Sequence, residues 1–113
     1  MSKLRNGWLP DELFFDQHLK LITPYLTMDQ PIVNYLFAVG CHSQNNMGKN
    51  DSKINIAFNT SEIVENYLNC YLSTSHLVRE YIRKINEIDS NNIFLILPDH
   101  LPPLKSSKLK KWA

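Results

Sequence analysis

Cysteine, glycine and long apolar runs are all scarce in this chain of 113 residues, which has two cysteines and three glycines. The longest uninterrupted apolar run is residues 93–98. A membrane-spanning helix needs about 20 consecutive apolar residues, so none is expected. Residues 1–7 are polar and basic, and Asp11, Glu12 and Asp16 interrupt the apolar residues that follow. No cleavable signal segment is expected there. Cys41 and Cys70 make neither a CxxC pair nor a Cys/His grid at zinc spacing, which points to a cytoplasmic chain with reduced thiols and no metal. In that setting the Asn-x-Ser/Thr matches at Asn50 and Asn59 carry no message. The few glycines supply no phosphate-cradling loop: Met47-Gly48-Lys49 lacks Walker spacing, and no Gly-x-Ser-x-Gly or kinase signature is present. No cofactor is expected.

Apolar residues make up 43% of the chain and charged residues 20%, enough hydrophobic surface to offset the entropy of ordering one domain. The net charge of +1 hides an asymmetry. Lys105, Lys108, Lys110 and Lys111 stand in the last eleven residues with no acid among them, leaving eight bases against eleven acids in residues 1–102. The chain therefore divides into a mildly acidic domain, residues 1–102, and a basic tail, residues 103–113. Lysines beside Trp112 suit screened contact with phosphates or an acidic surface, or a solvated terminus.

The periodicities predict five elements. Pro10, Asp11 and Glu12 suit the opening turn of a helix over residues 10–22, because proline gives up an N–H that would be unpaired and acids favour the positive end of the dipole. Phe14, His18, Leu21 and Ile22 form its stripe, Leu13 and Phe15 lie beside it, and Pro24 ends it. Residues 31–42 read either way. Thr27 with Gln30 resembles a capping box and Gly40 a helix stop, yet Val33, Tyr35, Phe37, Val39 and Cys41 alternate at period two, and strand is favoured. Residues 53–58 alternate likewise, and residues 43–52 make a long loop between the two strands.

Asn59, Thr60 and Ser61 can cap a helix with Glu62 in its first turn. From there Val64, Leu68, Tyr71, Ser75, Val78, Ile82 and Ile85 keep helical spacing through residue 88, with Ile63, Tyr67, Leu77, Tyr81 and Ile88 alongside. Ser73, Thr74 and Ser75 compete for backbone hydrogen bonds and predict a break. After a turn at residues 89–92, residues 93–97 read as a strand covered on both faces and ended by Pro98. The fold expected is α+β, a small mixed three-stranded sheet packed with helices in the order α-β-β-α(α)-β. Its open edges suggest pairing with a second copy.

Chemistry is sparse. Cys41 beside His42 is not its own nucleophile and base, since neighbours on a strand point to opposite faces; both cysteines read as buried inert thiols. His76 reads as a surface residue, and His18 as bordering the first helix's core face. If the second and third strands run parallel, Asn59, Thr60 and Glu62 meet Asp99 and His100 at one sheet edge. The unpaired N–H groups of the following helix suit an anion there; the acids and His100 suit a divalent metal or general-base chemistry. Capping and turn formation account for the same residues without any ligand. With no catalytic signature, the leading expectation is a small non-catalytic interaction or regulatory module, self-associating or bound to a protein partner through Tyr67, Tyr71 and Tyr81 with Arg79 and Arg83. The alternatives are nucleic-acid binding through Arg79, Arg83, Lys105, Lys108, Lys110, Lys111 and Trp112, and a small enzyme or anion-binding protein at Glu62, Asp99 and His100.

Overall fold

The computed structural model describes residues 9–39 and 62–99. Two helices organise them: α1, Asp11–Leu26, and α2, Glu62–Ile88. Pro10 caps α1 in an extended conformation, and its carbonyl accepts the Phe14 N–H at 2.9 Å. Asp11 and Glu12 sit in the first turn, where their charge meets the positive end of the helix.

α1 does not stop before Pro24 but carries it inside its last turn. Proline there forfeits its own N–H bond to the preceding turn, a loss tolerable so near the end. The end is also secured locally: the Thr27 and Met28 N–H groups turn back to the Tyr25 carbonyl, and the Thr27 hydroxyl donates to the Pro24 carbonyl at 3.1 Å. α2 runs unbroken for 27 residues, about 40 Å at 1.5 Å per residue, so the break expected at residues 73–75 does not occur. Its hydroxyls find partners that leave the helix intact. Ser75 donates to the Tyr71 carbonyl one turn back at 2.8 Å, and Thr74 turns outward to an Asp11 carboxylate oxygen at 3.5 Å.

The helices run in the same direction. His18 meets Tyr81 and Asp11 meets Thr74, both separated by 63 residues in sequence, and a constant difference between contacting positions is what two parallel rods give. Phe15, Ile22, Tyr81 and Ile85 form the buried core of this pair, flanked by Phe14, Leu19, Leu26, Leu77 and Val78. The buried stripe of α1 is thus Asp11, Phe15 and Ile22. It is rotated from the expected one: Leu13 and Leu21 face outward.

Residues 31–39 and 91–99 follow the helices without forming strands, and no strand occurs among the described residues. The expected three-stranded sheet is therefore corrected to a two-helix arrangement with irregular segments; its middle member, residues 53–58, lies outside the described residues. Period-two alternation supplies no neighbour to pair with. Tyr35 and Phe37 do share a side, meeting edge to face at 4.7 Å between ring centroids. Each segment lends one side chain, Leu36 and Phe94, to the helical core. The rest stands open, with Val33 97% and Ile93 99% exposed. Residues 93–97 are consequently not covered on both faces. The turn before them forms as expected, the Asp89 carboxylate accepting the Asn91 N–H at 2.9 Å and its carbonyl accepting from the Asn92 amide.

Because Ile85 closes the core while Leu21 faces outward, truncation should separate them. Ile85→Ala is expected to cost about 2–5 kcal/mol in urea unfolding and Leu21→Ala less than about 1 kcal/mol. Equal losses would contradict this packing.

Candidate functional site

Polar side chains enter the helix interface at two levels. At the first, Asp11 is buried at 6% exposure, and Thr74 reaches it from α2. Asp11 stands in the first turn at the positive end of its own helix and accepts the Thr74 hydroxyl at 3.5 Å. Further along α2, on the same end, Asn69 is 3% exposed and donates through Nδ2 to the Glu65 carbonyl at 3.0 Å. Every buried side-chain nitrogen and oxygen among the described residues has a hydrogen-bond partner.

At the second level His18 Nδ1 and the Tyr81 hydroxyl share a 2.7 Å hydrogen bond between rings whose centroids are 5.9 Å apart. Phe14 and Phe15 wall this pair, the latter with its ring centroid 5.1 Å from that of Tyr81. Burial lowers the proton affinity of His18, because the imidazolium would lose water without gaining a counter-charge. The same burial pushes the Tyr81 phenol up to about 12. Both groups are neutral near pH 7, so the pair is a bridge between neutral rings. His18 does border the core face of α1, as its position in the stripe implied, whereas nothing in the sequence pointed to Tyr81 as its partner 63 residues away.

The residues singled out for chemistry are only partly in view. Asp99 lies exposed after the extended segment. The backbone of Glu62 opens α2. Asn59, Thr60 and His100 lie outside the described residues, as do Lys105, Lys108, Lys110, Lys111 and Trp112. Nor are Cys41 and His42 within them. The meeting of Glu62 with Asp99 was argued from a parallel sheet, and with no strand among the described residues that argument loses its support.

The surface proposed for a partner does not assemble as one face. Tyr71 is exposed, Tyr67 half-buried and Tyr81 part of the core. Arg83 is engaged along its own helix, donating through Nε to Glu80 at 3.0 Å and through Nη1 to Glu87, and its hydrogen bond, then its charge, holds Glu80 below the usual carboxylate range. Exposed pairs of this kind add little to stability. Arg79 is exposed, and His76 lies on the surface as expected. Cys70 departs from its reading as an inert thiol: it is buried and disulfide-bonded.

Among the described residues, no helix is long and apolar enough to cross a membrane. No three His, Cys, Asp or Glu side chains group there as metal ligands. The Sulfatase family model matches residues 2–112. No curated protein matches the chain, and no solved structure does. A match to a catalytic family over nearly the whole chain overturns the expectation of a non-catalytic interaction module. Self-association and protein binding gain no support. Short motifs could not reveal this, since the signal is spread along the chain and no local spacing carries it.

The neutral bridge has a pH signature. A base whose folded proton affinity is depressed binds more protons when unfolded, so the stability it contributes is intact above its ordinary value of 6.5 and is lost as pH falls through the lower folded value. Thermal unfolding from pH 8 to 5 is expected to show a fall in Tm below about pH 6.5 that His18→Gln reduces. A wild-type Tm independent of pH across that window would contradict a buried neutral His18. Separately, Tyr81→Phe should cost about 1 kcal/mol in urea unfolding by removing the shared hydrogen bond.

Proposed function

Because this chain belongs to the sulfatase family, we propose that it serves the hydrolysis of sulfate esters, with Asp99 and His100 as the groups that handle protons. The observation that carries this reading is the extent of the family match, residues 2–112, which includes both helices and the segment that ends in Asp99. Hydrolysis of a sulfate ester adds water oxygen to sulfur and breaks the sulfur–oxygen bond to the alcohol. One proton must leave the attacking water, and one must reach the departing alkoxide.

His100 is suited to that exchange, because an imidazole titrates near neutral pH and serves as base in one direction and acid in the other. Asp99, its neighbour in sequence, carries a carboxylate able to accept a hydrogen bond. Glu62 and Asp99 repel a sulfate monoanion, so their place in this chemistry is in proton transfer. Anion recognition falls to uncharged donors, and Asn59, Thr60 and the first N–H groups of α2 are of that kind. This reading rests on chemical fitness and on family membership.

The test is hydrolysis of 4-nitrophenyl sulfate by the full chain, followed as released nitrophenolate. Asp99→Asn and His100→Gln are each expected to lower kcat by about 10²–10⁴-fold while leaving the helical circular dichroism unchanged. A chain that releases no nitrophenolate, or variants that turn over at the unaltered rate, would overturn the proposal.

A further inference from the structure

An endopeptidase holds its substrate as an added strand, with several consecutive residues drawn out along the cleft, so helical backbone is a poor substrate and unpaired, open backbone a good one. Residues 93–98 meet that requirement. Their backbone makes no hydrogen bond among the described residues, and Phe94 alone of them packs against the helical core. Leu95 and Ile96 follow it at 80% and 67% exposure, and Leu97 and Pro98 lie open beyond them. No charge interrupts residues 90–98.

We propose that the Leu95–Ile96 bond is a proteolytic processing site, cut by an endopeptidase whose specificity pocket takes an apolar side chain. Neighbouring side chains of a drawn-out chain point to opposite sides, so Leu95 enters the pocket while Phe94 keeps its place against the core. The Leu97–Pro98 bond is a poor alternative, because its nitrogen belongs to a proline and carries no N–H. Tyr35 is exposed in the other irregular segment, but its ring meets Phe37 edge to face and the adjoining Leu36 packs on the core, so a cut there disturbs both. Hydrolysis adds water across the amide: Leu95 ends as a carboxylate, and the Ile96 nitrogen keeps the electron pair of the broken bond and takes a proton as a new amino terminus. Phe15, Ile22, Tyr81, Ile85 and Phe94 all precede the cut. The helical core therefore stays whole, while the chain from Ile96 onward, Asp99 included, is covalently severed from both helices. Sulfate-ester hydrolysis plays no part in this step.

The experiment is a time course of the full chain with a trace of chymotrypsin, whose pocket is a hydrophobic slot, the products being weighed intact. The expected first products are residues 1–95 and 96–113, with the larger one keeping the helical circular dichroism of the uncut chain. Variants supply a second reading. Leu95→Asp removes the apolar side chain, and Ile96→Pro removes an N–H that bonds to no described residue. Each is expected to slow this cut by about tenfold or more and to leave Tm within about 4 °C of the wild type. A chain that stays whole, a first cut elsewhere, or a folded variant cut at the wild-type rate would refute the site.

Discussion

The side-by-side packing of α1 on α2 is the constraint on which the described structure depends. Phe15 and Ile22 meet Tyr81 and Ile85, and that four-residue core is the only place where both helices bury apolar side chains together among the described residues. Helices that run the same way cannot be joined by a short turn. The chain between them has to return along the length of α1, about 24 Å for 16 residues, before α2 begins. Residues 31–39 belong to that return, and Leu36 is their anchor to the core.

Polar contacts fix the register that the apolar core leaves loose. Aliphatic and aromatic packing tolerates sliding, whereas the His18–Tyr81 hydrogen bond and the Asp11–Thr74 contact each admit one alignment, and the two agree on a 63-residue offset. Burial keeps His18 and Tyr81 neutral, so the bridge avoids the desolvation cost of an ion pair in the same position. Asp11 stands instead at the positive end of α1. The surface, by contrast, is held by pairs within single helices, Lys20 with Asp16 and Arg83 with Glu80 and Glu87, which shape neither packing nor register.

Family membership and the exposed extended segments describe the same molecule from two sides. A sulfatase-family chain carries a catalytic assignment that no local motif announced, and the apolar side chains of residues 93–97 lie largely open. The disulfide at Cys70 adds a covalent restraint to α2. Together they change the view drawn from composition: a reduced, non-catalytic module becomes a disulfide-bonded chain of a catalytic family.

By itself the sequence determined that two stretches of the described backbone coil as helices. Apolar spacing at three and four residues marked both helices, Pro10 with two acids marked the start of α1, and Asp89 with its asparagines marked the turn after α2. These are local matters, settled by side chains within a few residues of each other. The tertiary structure decided what local spacing does not contain: that α2 continues through residues 73–75, where the Thr74 and Ser75 hydroxyls find acceptors, that α1 turns Asp11, Phe15 and Ile22 inward, and that residues 31–39 and 93–97 do not pair as strands. Period-two alternation specifies a pleated backbone, but a sheet needs a neighbour to complete its hydrogen bonds, and a neighbour is a property of the whole fold. The same holds for the candidate site. Asp99, His100 and Glu62 were legible as chemical types, while their grouping hung on a sheet that the described residues do not form.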